Sequence, residues 1–307
     1  MSDIILQYPV HTRDNQQLLP AGTILSDKVV HGLISTESVS SRQVFPLMRH
    51  GTIRHDLFHF KSQLPYSTIF ALQDRTDQAL GLMEKVDLPQ AVLEILDYFK
   101  CHNFYTYRHF LMVYMLSIFL TQELLTDFED LLCEANVGPT HDLGKICVPV
   151  KILNKRTPLT SSEHRLLEHH VAAGYVLLSF YLRDSKNLAA IVARDHHERR
   201  DGSGYPLGIP LQNRMVEIVV ASDIYDALLS PRPYRSAPYD NRTALEELTS
   251  MAQRGELSLE IVQALVAHNR KCRTHHSECT VSLEKRGCPP SDNSYGIIVP
   301  DDGESAC

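Results

Sequence analysis

His141-Asp142 sets an imidazole beside a carboxylate, two side-chain types that hold divalent cations. Further along the chain stand His170, the adjacent pair His196-His197, and Asp223 within Ala221-Ser-Asp-Ile-Tyr-Asp226; His109 precedes them all. Asp142 carries two oxygens, so it could serve two cations at once. Taken singly, each residue is a weak signal. A lone histidine on an amphipathic helix is more often a surface or satisfied core residue, and helix neighbours such as His196 and His197 diverge by about 100°. By that standard His164 and His169 are ordinary residues on the helix of His170. Glu198 either supports the site or faces solvent.

Metal sites in helical bundles are built from side chains that several helices project inward. The hydrophobic pattern supplies such helices. From Val86 onward the apolar period is helical, with Val92, Leu93, Leu96 and Phe99 on one face. The pattern predicts helices over about 105–125 and 127–135, and Pro139 should kink or end the helix ahead of His141. Thr160-Ser-Ser-Glu163 has capping-box spacing and predicts a helix through about Leu182. Further helices are predicted over about 185–198, 214–229, 239–253 and 258–270. Residues 86–270 therefore read as an all-helical bundle.

Residues 1–85 read as a small α/β or α+β module that either regulates the bundle or extends its packing. Strands are predicted over 3–10 and 17–25, with turn chemistry at Pro20-Ala21-Gly22, and Ser26 caps a short helix to Ile34. The mixed pattern of 36–85 assigns no element. After Arg270 the periodicity ends, and 271–307 read as a flexible Cys- and Pro-containing tail. Within it Cys272, His275, His276 and Cys279 have a C-x-x-H-H-x-x-C spacing that could chelate zinc. A continuous segment, however, lacks the distant second half of a usual finger, and free surface cysteines are the plainer reading.

The chain has 307 residues and a formal net charge of -7, which gives no global basic field to attract a nucleic-acid polymer. The sixteen histidines are scattered, not a tract. The amino terminus shows no basic and apolar signal sequence, and seven unevenly spaced cysteines fit a reducing cytoplasm. The most apolar run, Phe110 to Leu120, is too short to span a bilayer, so it predicts a buried core helix and no membrane insertion.

The order of the set is more specific than its members. His141-Asp142-Leu143-Gly144-Lys145 is followed by His170 with Gly174 and by His196-His197-Glu198. Asp201-Gly202-Ser203-Gly204-Tyr205-Pro206, Asp223-Ile-Tyr-Asp-Ala-Leu228 and Arg232-Pro233-Tyr234-Arg235 complete it. Over roughly residues 90–270 this resembles the HD-GYP family, the bacterial branch of the HD phosphohydrolases. The resemblance implies a mainly α fold and a metal-dependent phosphodiesterase that cleaves cyclic di-GMP to pGpG or GMP through a hydroxide bridging two metals.

It also implies roles by position. One metal would use His109, His141, Asp142 and Asp223. The other would share Asp142 and add His170, His196 and His197. Asp142 and Lys145 would be catalytic; Lys145, Arg232 and Arg235 would contact substrate; Gly202, Gly204, Tyr205 and Pro206 form the GYP loop. The two divalent ions would be iron on family grounds, with manganese or zinc compatible with the donors, and GGDEF-type signalling proteins would be partners. Tyr105 stands where trinuclear members carry glutamate, which favours two metals over three. Met112 and Glu217 replace expected arginines, so a catalytically weak member that binds a cyclic dinucleotide or a partner protein is the alternative.

Other motifs fail. His197-Glu-Arg-Arg-Asp201 lacks the second histidine of the zinc-protease signature, and Gly202-Ser-Gly204 lacks the third glycine of a dinucleotide fingerprint.

Overall fold

A computed structural model describes residues 4–35, 43–125, 139–235, 237–270, 275–294 and 296–301. The helix expected over 127–135 lies outside the described residues, as do Cys272 and Gly138.

Four short strands open the chain: β1 (Ile4–Ile5), β2 (Val10–His11), β3 (Gln17–Leu19) and β4 (Ile24–Leu25). β1 pairs with β4 and β2 with β3, both antiparallel. Each of the two strands expected here is thus divided between two small ladders. α1 (Asp27–Ser35) follows as expected. The unassigned stretch then holds β5 (Val44–Pro46), α2 (Ile53–Lys61), α3 (Tyr66–Ile69) and α4 (Gln73–Met83). β6 (Asp87–Pro89) pairs antiparallel with β5, so this ladder crosses the boundary drawn at residue 85.

The bundle comprises α5 (Gln90–His102), α6 (Phe104–Leu124), α7 (Val150–Leu153), α8 (Ser161–Glu168), α9 (His170–Leu182), α10 (Leu188–Asp195), α11 (Arg214–Leu229), α12 (Asn241–Gln253) and α13 (Leu259–Asn269). β7 (Leu159–Thr160) precedes α8 and pairs in parallel with β8 (Ile298–Val299). The architecture is mainly α. Side chains from Thr106 to Thr121 are all buried except Arg108, so α6 is apolar all round and forms the centre of the bundle. It packs on α11, α5, α4, α2 and α13. No described helix is long and apolar enough to cross a membrane.

The capping box at Thr160 forms as expected: the Thr160 hydroxyl accepts from the Glu163 amide, and the Glu163 carboxylate accepts from the Thr160 amide. The helix it opens is interrupted at His169, which separates α8 from α9 and places His170 at the first turn of α9. Asn187, Asn213 and Asp240 cap α10, α11 and α12 by accepting backbone N–H groups. These caps set the helix starts two residues later than expected at α12 and three later at α10.

Parts of the segment expected as a flexible tail touch the bundle. Cys279 is buried and its carbonyl accepts from Gln263 Nε2 at 3.1 Å. The amides of Arg286 and Gly287 donate to Glu246 Oε2 at 3.0 and 2.7 Å. These contacts use backbone groups of the segment with polar side chains of the bundle, which leave no periodic apolar pattern.

Candidate metal centre

Three crossings bring the candidate ligands together. α6 supplies His109, buried, from its first third. The turn at His141-Asp142 leads into a 3₁₀ segment, Leu143–Cys147, that lies across α9. A Cβ on Gly144 would stand 1.9 Å from the His170 carbonyl oxygen and 2.4 Å from the Gly174 nitrogen, so only glycine permits this contact. α9 and α10 pack side by side and deliver His170, His196 and His197. α11 supplies Asp223.

The carboxylate of Asp142 lies at the centre, buried. On its Oδ1 side the Nε2 atoms of His170 and His196 approach to 3.2 and 3.5 Å, and stand 3.2 Å from each other. His197 closes this group. On the Oδ2 side stand the Nε2 atoms of His141 at 3.6 Å and His109 at 3.8 Å. Asp223 Oδ1 lies 2.8 Å from His109 Nε2 and 3.8 Å from His141 Nε2. Lys145 Nζ donates to Asp142 Oδ2. Every residue expected around the two metals is therefore in one cluster, divided on either side of Asp142.

The hydrogen bonds to the far ring nitrogens assign the tautomers. His170 Nδ1 faces the Leu167 carbonyl at 2.6 Å, and His196 Nδ1 faces the carbonyls of Val192 and Ala193 at 3.1 and 3.0 Å. A carbonyl only accepts, so each Nδ1 carries a proton and each Nε2 is directed inward. Burial lowers the pKa of His170, lowers that of His141 to about 4, and lowers that of His197 well below the usual range, so these rings stay neutral. Two lone pairs then converge on Asp142 Oδ1, a buried oxygen that no hydrogen bond satisfies. Such a gathering of acceptors repels itself unless a cation sits among it, and the donor set fits divalent metals.

Residues without an assigned role hold the ligands in place. Asp223 and Asp226, one helical turn apart on α11, flank the His109 ring: Asp226 Oδ2 lies 2.6 Å from Nδ1 while Asp223 meets Nε2. Asp226 is buried and also receives the Tyr66 hydroxyl, Arg108 Nη1 at 3.2 Å and the Ser230 hydroxyl at 2.8 Å. Burial opposes ionisation of Asp226, but Arg108, His109 and Tyr66 together hold its pKa far below the usual carboxylate range. A charged residue three positions from a candidate ligand, on an otherwise apolar helix, was the sequence signal for it.

Glu198 is fully buried, not exposed, and its carboxylate receives the amides of Leu207, Gly208 and Ile209 at 2.6, 3.2 and 3.3 Å. It thereby clamps the GYP loop. Gly204 lies against the backbone of His197 and Glu198, where a Cβ would meet the His197 oxygen at 2.3 Å. The Tyr205 ring stacks on His197 at 4.7 Å between centroids. The loop thus backs a ligand. His169 faces Tyr8 and His164 pairs with Glu168, both outside the cluster.

The two arginines differ from each other. Arg232, half-buried, lines a cleft of about 430 Å³ together with Tyr105, Arg156, Tyr234 and Asp292. Arg235 lines the same cleft, but its Nη2 donates to the carbonyls of Ala227, Leu228 and Ser230 at 2.5, 2.6 and 2.6 Å. That side chain closes the C-terminal end of α11, where carbonyls lack helical partners. Glu217 pairs with Arg214 at 3.2 Å and Arg200 at 3.7 Å at the other end of α11.

With this geometry in place, residues 120–257 match the family model for the HD domain. Over 125 residues the chain is 44% identical to the cyclic di-GMP phosphodiesterase response regulator RpfG of Xanthomonas campestris, covering 39% of this chain and 32% of that protein. A cyclic di-GMP phosphodiesterase of Thermotoga maritima is 36% identical over 180 residues, 57% of this chain and 48% of that one. The 3'3'-cGAMP-specific phosphodiesterase 2 of Vibrio cholerae is 35% identical over 139 residues, 43% and 26% of the two chains. The aligned region is thus less than half of each of these relatives.

Proposed function

We propose that this chain is an HD-domain, metal-dependent phosphodiesterase of cyclic dinucleotides, with cyclic di-GMP as substrate. The observation that carries the reading is Asp142, whose two oxygens face separate groups of imidazole nitrogens. His109, His141, Asp142 and Asp223 would hold one divalent ion; Asp142, His170, His196 and His197 would hold the other. Iron is the family expectation. Bound there, divalent ions would neutralise phosphate charge and lower the pKa of a water. The names of the relatives support the substrate class, and two of them differ in the dinucleotide they are named for.

The chain's own groups account for the rest. Lys145 and Arg232 place positive charge beside the carboxylate cluster, where a phosphodiester would bind and gain charge in its transition state. Tyr105 and Tyr234 give the cleft aromatic faces for bases. Arg235 would act through the loop that it holds, and the GYP loop through His197.

Anaerobically purified protein should contain two metal ions per chain and linearise cyclic di-GMP, with activity lost on chelation. Two ions per chain without cleavage of cyclic di-GMP or 3'3'-cGAMP would overturn the enzymatic reading. Asp142→Ala should remove both ions, and retention of both would show that Asp142 is not shared.

A further inference from the structure

At the opposite end of α6 from His109, a second group of metal-binding side chains meets. Glu123, in the last turn of α6, joins His275 and His276 of the C-terminal segment, with one donor atom from each lying within 4.8 Å of the others. We propose that these three residues form a zinc-type site that pins the C-terminal segment to the bundle.

The details favour a cation between them. His276 Nδ1 lies 2.9 Å from Glu123 Oε1, a hydrogen-bonded pair that a cation could enter in place of the shared proton with a few tenths of an ångström of movement. His276 Nε2 faces Glu260 Oε1 at 3.5 Å, and a ring nitrogen opposite a metal is typically held by such a carboxylate. Arg75 donates to Oε2 of Glu123 and Arg214 to Oε2 of Glu260. Both arginines are thus on the oxygens turned away from His276, and Oε1 of Glu123 stays directed at the imidazole. Two imidazoles and a carboxylate suit zinc or cobalt, and Glu123 supplies the distant partner that the C-terminal run lacks on its own.

The competing account is an ion-pair network in which His276 is a proton-bearing bridge between two glutamates. His275 separates the two, because it is exposed and takes no part in those pairs. Full-length protein, stripped with chelator, is titrated with zinc, and amide hydrogen exchange is followed at residues 275–279 and at the end of α13. Zinc should slow exchange there in the wild type, and His275→Ala should weaken that effect at least tenfold while the two ions at the Asp142 cluster remain. Equal zinc protection in wild type and His275→Ala, or none in either, would overturn the site. Glu123→Gln serves as a second variant, expected to keep the fold's helical signal and lose the zinc effect.

Discussion

Asp226 touches no candidate metal position, yet its carboxylate determines what His109 can do. By accepting a hydrogen bond from Nδ1–H it turns Nε2 toward the cluster, and the ring is locked between two carboxylates of one helix. The hydroxyl of Tyr66 completes the group from a part of the chain outside the matched HD domain. Replacing it with hydrogen leaves one oxygen of a buried, charged carboxylate with fewer donors, a loss of about 1.5–3 kcal/mol for a hydrogen bond to a charged group. Tyr66→Phe should therefore lower the stability by about that amount in denaturant titrations. It should also weaken binding of the ion on the His109 side by about tenfold, leaving the ion on the His170 side unaffected. Equal metal affinity in the variant and the wild type would show that Tyr66 acts on packing alone.

Among the elements, the crossing of the 3₁₀ segment over α9 positions the cluster most directly. Gly144 and Gly174 meet backbone to backbone, and this contact holds Asp142 within reach of His170. Gly144→Ala has no room to form without moving one element, so it should cost about 3 kcal/mol or more and reduce metal content at the His170 side. Gly174→Ala, whose Cβ would meet its neighbours at 3.2 Å, should cost less. A Gly144→Ala protein with wild-type stability and metal content would refute this view of the crossing. These glycines were visible in the sequence as parts of a motif, and the helices carrying His109 and Asp223 were placed within a residue or so, because strong apolar periodicity and capping residues are local signals. The break at His169 was not legible, since α8 and α9 form a continuous favourable pattern and only tertiary contact separates them. Arg235 looked like a ligand contact by position. Its commitment to three carbonyls depends on how the chain turns after α11, and no local pattern encodes that.

For the molecule as a whole, the question is whether residues before and after 86 fold as one. Leu6, Val10, Leu47, Leu57 and Tyr66 share one hydrophobic cluster with Phe110, Val219 and Leu265. The β5–β6 ladder joins the two parts, as does Asp56, which receives the Tyr107 hydroxyl at 2.7 Å and Lys100 at 2.5 Å. A shared core removes the water-filled gap across which two domains could melt separately, so loss of either part exposes apolar surface of the other. The buried rings of Tyr66, Tyr107, Tyr114 and Tyr225 report on both sides, so near-ultraviolet circular dichroism senses the joint core while the far-ultraviolet signal reports the helices. In chelator, where bound metal does not distort the transition, the two signals should fall together in a single denaturant transition. If the tyrosine and helical signals instead fell in two separate steps, the first 85 residues would be a separable module. The Tyr66–Asp226 contact would then join two bodies rather than belong to one core.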